Sequence, residues 1–218
     1  MEHTQIVSMG YKILGDIYTH LDAPMKSAKF YQRGVAVDKG SFAKLENAAR
    51  LGVTLGLLGD PRADAALEEA LLHVKAAGLE IIELNAKALR LNLFVARQEY
   101  AAFDANVVEI CTALTERSHP KSFVWTDYLQ SLRLFQEGKY EEALTLLEKC
   151  LSVLEEVPFF WIRLRAYKLQ LTLLKALERN IAPTQTKLTA MLDVIEAGLG
   201  DAPLQEEWQV FSERIKAL

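Results

Sequence analysis

QEGKYEEALTLLEKCL, residues 136–151, places a glycine, an aromatic and a small residue at Gly138, Tyr140 and Ala143, followed by Leu147 and Cys150. Ala143, Leu147 and Cys150 recur every three to four residues, the spacing of one face of an α-helix. Gly138 stands just before that helix, where the chain has to turn. The stretch contains no catalytic pair and no metal-ligand spacing. It reads as the second half of a helical hairpin, in which small residues, here Ser131 with Ala143, let two helices approach closely while larger side chains fill the grooves beside them.

Related spacings occur twice upstream. YKILGDIY, residues 11–18, carries Tyr11, Leu14, Gly15 and Tyr18, and Ser27, Tyr31 and Gly34 follow on a second helical face. AARLGVTL holds Ala48, Leu51, Gly52 and Leu55, displaced by 37 residues, with Ala66 and Ala70 on its partner helix. The small-residue crossings expected are Gly15 with Ser27 and Gly52 with Ala66. In this arrangement the chain resembles the tetratricopeptide repeat family. A third unit keeps Tyr100 at the turn but has Leu91 and Phe103 at the small positions. A fifth, residues 159–177 with 183–199, has helical faces without the motif. Displacements of 37 to 40 residues are similar to the long repeats of helical sensor regions in multidomain signalling ATPases and transcription regulators, including the maltose-regulator type.

The resemblance implies an all-α, right-handed α-α superhelix, or solenoid, of about five hairpins in one domain spanning 1–218. The repeats fall near 3–40, 41–78, 80–117, 121–157 and 159–199, with a capping helix over 202–218. Eleven helices are expected, at 3–21, 24–38, 41–58, 61–77, 80–98, 100–116, 121–137, 140–156, 159–178, 184–198 and 202–217. Six prolines, at 24, 61, 120, 158, 183 and 203, punctuate them, because proline fits a first turn and breaks a helix interior. Asp60 is expected to cap the fourth helix, with Pro61 as its first residue and a face of Ala63, Ala66, Leu67, Ala70, Leu71, Val74 and Ala77. Asp201 and Pro203 start the last, which has a single apolar stripe of Leu204, Trp208, Phe211, Ile215 and Leu218.

Half of the 218 residues are apolar, and the 25 basic and 29 acidic residues are mixed to a net charge of −4. Without a positive field the chain is not expected to hold nucleic acid directly. It has no apolar run of membrane-spanning length and no secretory signal at its start, so a cytoplasmic chain with no membrane contact is expected. Cys111 and Cys150 read as inert buried thiols. The four histidines are scattered, and no zinc, phosphate-loop or nucleophile-elbow motif occurs, so neither a cofactor, a metal nor an enzyme activity is expected.

Function in the family lies on the concave side of the first helix of each pair, and the resemblance implies partner-binding positions there. Those in unit one are Met9, Lys12, Asp16, Thr19 and His20, and in unit two Glu46, Ala49, Arg50 and Val53. Unit three offers Asn85 and Asn92, and unit four Trp125, Tyr128, Leu132 and Phe135. The candidates taken from them are Lys12, Asp16, His20, Arg50, Asn92, Trp125 and Tyr128. Lys12 reads either as a clamp for a partner's carboxylate or as a solvated lysine beside Asp16. Asp16 occupies a slot where the family's clamp has asparagine. Trp125 and Tyr128 either form an aromatic shelf or, with their helix rotated by one residue, pack against helix 140–156. Asp127 and Gln130, polar where the family is apolar, favour that rotation. The expected function is a scaffold for a protein or peptide. The alternative is a sensing module for a peptide or a small-molecule signal, as one region of a larger protein.

Overall fold

The structure, a computed structural model, describes residues 2–38, 40–116, 120–157, 159–199 and 205–217. Eleven helices account for nearly all of them: α1 (Glu2–His20), α2 (Pro24–Val37), α3 (Phe42–Leu57), α4 (Ala63–Ala76), α5 (Glu80–Ala96), α6 (Tyr100–Glu116), α7 (Pro120–Gln136), α8 (Tyr140–Glu156), α9 (Phe160–Ala176), α10 (Ala182–Leu199) and α11 (Gln205–Lys216). No strand occurs among the described residues, and the fold is all-α. Pro24 and Pro120 each open a helix, and Pro183 is the second residue of α10. The start of α4 moves from the expected 61 to 63. Its first helical residue is Ala63, because the Asp60 carboxylate accepts the Arg62 N–H at 2.9 Å and holds Pro61 and Arg62 in a separate turn. The Asp201 and Pro203 start, Leu204 and Leu218 lie outside the described residues.

One closure repeats at the end of the first helix of every hairpin. Asp22, Gly59, Gln98, Gly138 and Glu178 all have φ between 53° and 75°. At each, that residue's N–H binds the carbonyl three positions back, and the next N–H reaches five back: Gly138 to Phe135 at 3.0 Å with Lys139 to Leu134 at 2.9 Å, and Gln98 to Val95 at 3.1 Å with Glu99 to Phe94 at 2.8 Å. This double bond satisfies the last helical carbonyls and reverses the chain. It also answers the question posed by Gly138, which supplies a left-handed backbone that other residues adopt only at a cost. The third and fifth units, whose sequences lack the small-residue motif, share the turn.

Packing divides the chain into two compact units, Met1–Ser118 and His119–Leu218, and the division falls between the third and fourth expected repeats. In the first unit α1 pairs with α2, α3 with α4 and α5 with α6. α2 also touches α3, α4 touches α5, and α1, α3 and α5 contact one another in sequence. Leu67, Leu91, Phe103 and Ile110 are at most 1% exposed, each burial stabilising by roughly 1.5–3 kcal/mol. Leu91 and Phe103, at the small positions of unit three, are fully buried, so large side chains fill that crossing.

The expected crossings at Gly15 and Gly52 are close, but onto other residues. A Cβ on Gly52 would lie 2.9 Å from the Leu67 Cβ and 3.0 Å from its Cα and N. Ala66 is only half-buried, because a one-residue rotation of α4 turns Leu67 inward instead. A Cβ on Gly15 would enter the Tyr31 ring. Ser27 is fully buried nearby, its hydroxyl 2.6 Å from that of Thr19.

In the second unit α7 pairs with α8 and α9 with α10, α9 touches both α7 and α8, and α11 packs on α10. Ser131 and Ala143 are both fully buried, and α11 buries Trp208, Phe211 and Ile215 on one side. Among the described residues no helix is long and apolar enough to cross a membrane.

Candidate functional site

Within the first unit, the side of α3 turned to α1 carries charge, as does the facing side of α1. Lys12 Nζ donates to Glu46 Oε2 at 2.8 Å, and Arg50 Nε donates to Asp16 Oδ1, also at 2.8 Å. The Tyr31 hydroxyl, from α2, donates to the same Asp16 oxygen at 2.6 Å, while Arg50 Nη1 is 3.9 Å from Glu46 Oε1. Lys12 and Asp16 of α1 and Glu46 and Arg50 of α3 thus neutralise one another in a ladder that Tyr31 of α2 joins. Burial, and then Asp16, hold the Tyr31 phenol well above its ordinary pKa. Burial opposes the Arg50 charge, but Asp16 and Glu46 outweigh it and keep the guanidinium above its usual value.

Lys12 therefore sits on Glu46 rather than in solvent beside Asp16. The Lys12 and Glu46 side chains retain 19% and 12% exposure, so truncating the lysine leaves a carboxylate poorly solvated. Lys12→Ala should lower unfolding free energy by about 1–2 kcal/mol in urea denaturation. A change inside the scatter of exposed-site mutants would show that the pair is not formed in solution.

His20 and Asn92 are placed apart from this ladder. His20 is half-buried in the last turn of α1. Asn92 Nδ2 donates to the Leu89 carbonyl of its own helix at 2.8 Å. Asn47 was not among the candidates, yet it is fully buried. Its Nδ2 donates to the carbonyls of Ser8 at 3.0 Å and Ala43 at 2.9 Å, and Ser8 Oγ donates to the Gly34 carbonyl at 2.9 Å. A Cβ on Gly34 would collide with the Asn47 amide. These contacts fix the register of α1, α2 and α3. A sequence signal for the charged ladder did exist: both ion pairs join opposite charges exactly one offset of 34 residues apart.

In the second unit, α7 brings Trp125 and Tyr128 together with ring centroids 5.5 Å apart and planes 29° apart. The Arg165 guanidinium of α9 lies 5.9 Å from the Trp125 ring centroid. Tyr128 is 8% exposed, whereas Trp125 is half-buried and its Nε1 has no hydrogen-bond partner. The opposite side of α7 meets α8. Burial raises the Asp127 carboxyl above its usual pKa, partly offset by Lys149 of α8. Burial and then Asp127 push the Cys150 thiol up to about 12, and Cys150 Sγ donates to the Val124 carbonyl at 3.4 Å. The Trp125 ring is thus in contact with Arg165 of α9.

Trp161, Arg165, Lys168 and Thr172 recur along one side of α9 and are all half-buried. Together with Trp125, and with Leu132 and Phe135, also half-buried on α7, they combine ring faces with two cations. Such a surface suits stacking, cation-π contact and charge-assisted hydrogen bonds to a carboxylate. Cys111 is half-buried in α6, in contrast to Cys150.

Compared with protein-family models and with curated proteins, the chain matches none. The resemblance to tetratricopeptide repeats rests on the residue positions alone.

Proposed function

We propose that the chain is a non-catalytic scaffold of tetratricopeptide type that holds a peptide or helix of a partner protein against α7 and α9. The observation that supports this reading is the half-buried Trp125 under Arg165, with Trp161 and Lys168 on the same side of α9. An indole with a cation over its face can anchor an apolar or aromatic side chain next to an acidic one. Binding energy concentrates in a few such desolvated anchors, and helix packing holds them in place before the partner arrives, which lowers the ordering cost.

A random peptide library panned on the whole chain tests this. Wild-type protein should enrich sequences that pair Asp or Glu with Leu, Phe or Trp. Trp125→Ala should weaken the selected peptides by at least about tenfold, the scale of one hot-spot side chain, and Arg165→Glu should reverse the charge preference. Equal selection by wild type and both variants would refute the assignment of this face.

A further inference from the structure

The outer side of α1 is built like an inner one. In α3 the side that meets α1 and α2 carries Glu46, Asn47 and Arg50, bound to Lys12, Ser8 and Asp16 respectively. Shifted back by the 37 residues that separate Gly52 from Gly15, the corresponding positions of α1 are Met9, Gly10 and Ile13, with Ile17 matching Thr54. Gly10 and Ile13 are exposed, and Met9 and Ile17 are half-buried at the edges of the stripe. Ile13 is 54% exposed, and Ile6, one turn before Met9 and Gly10, is 66% exposed. A Cβ on Gly10 would find no atom within 4 Å, although its counterpart Asn47 is fully enclosed. The helix that ends the second unit is finished differently. α11 turns Gln205, Glu206, Gln209 and Glu213 to solvent along with Val210.

We propose that this face of α1 is a self-association surface, on which a second copy lays its own α1 antiparallel about a two-fold axis near Gly10. The spacing is self-complementary. Ile6 and Ile13 flank Met9 and Gly10 on either side, so a two-fold there sets Ile6 of each copy on Ile13 of the other, the reciprocal pattern of an isologous contact. Gly10, with open space above it, lets the two helices cross closely. The stripe Ile6, Met9, Gly10, Ile13 and Ile17 has no ionisable group, so an identical face meets it without like-charge repulsion. That neutrality favours a second copy over a basic or acidic partner. One helical stripe buries less than the roughly 1,200–2,000 Å² of a standard interface, so the dimer is weak and concentration-dependent. The proposal is independent of the reading of α7 and α9.

Sedimentation equilibrium of the full chain, from low micromolar to near-millimolar concentration, tests it. A reversible monomer–dimer equilibrium is expected. Ile13→Glu should raise its Kd at least about tenfold, as loss of a central apolar anchor does. Gly10→Leu, for which the monomer has room, should weaken the dimer comparably while helical content by circular dichroism is kept. Val108→Glu, at a 67% exposed site on α6, should leave the Kd unchanged. A chain that stays monomeric throughout would overturn the proposal and leave the face to a helix of different sequence. A dimer indifferent to both Ile13→Glu and Gly10→Leu would overturn it too.

Discussion

Replacing Gly52 with leucine should destabilise the protein by about 3 kcal/mol or more, at the upper end of what overpacking costs. The Cβ alone would stand 3.0 Å from the Leu67 Cα and N, which are backbone atoms of a helix and cannot swing aside as a side-chain tip can. The rest of the leucine would need α3 and α4 to separate, opening the cluster in which Ala49, Val53, Leu67, Ala70, Ala86 and Leu93 bury one another. Since α3 also contacts α1, α2 and α5, the displacement cannot be confined to one hairpin. Urea unfolding followed by circular dichroism should show a large fall in midpoint. Stability equal to wild type would mean that α3 and α4 do not cross at Gly52.

Arg50→Ala should cost about 3 kcal/mol, the scale found when one member of a buried ion pair is removed. The Arg50 and Glu46 side chains are 19% and 12% exposed, and Asp16, at 36%, keeps part of its hydration. Loss of the guanidinium leaves Asp16 with the Tyr31 hydroxyl alone from this ladder and puts the Glu46 charge on Lys12 only. The paired change Lys12→Leu with Glu46→Leu removes a complementary set and should be close to neutral, because an apolar pair avoids the desolvation that the charges incur. By contrast Arg62→Ala, at a 79% exposed side chain, should leave stability unaltered. If Arg50→Ala were as benign as Arg62→Ala, the ladder would carry no stabilising energy.

The ladder also shows what the groove-slot reading of the candidate set left out. Lys12, Asp16 and Arg50 came from the position of groove slots in a hairpin considered alone. In the stack, the slot of one first helix faces the next first helix, and a side chain that would greet a ligand at a free groove meets Glu46 or Asp16 instead. Trp125 and Tyr128 illustrate the converse. Polar residues at 127 and 130 suggested that α7 had rotated its rings onto α8, yet it is Asp127 itself that lies near Lys149 and Cys150 of α8, where burial raises its carboxyl pKa. A polar residue in a helix–helix contact is unfavourable on average, and Lys149 offsets that cost only in part here.

The sequence by itself determined that the chain is all-α, where eleven helices run to within a few residues, and that hairpins follow one another in order, because periodicity, prolines and turn glycines act over a few residues at a time. It also showed that Gly15, Gly52 and Ala143 sit at close crossings. Tertiary structure alone decided which side chain lies nearest each small residue, Leu67 at Gly52 and Tyr31 at Gly15, since a rotation of one residue about a helix axis leaves the apolar pattern intact while exchanging the contacts. It alone decided, too, that the left-handed turn persists at Gln98 and Glu178, that opposite charges 34 residues apart close on one another, and that one side of α1 remains uncovered, because those outcomes depend on which helices lie side by side.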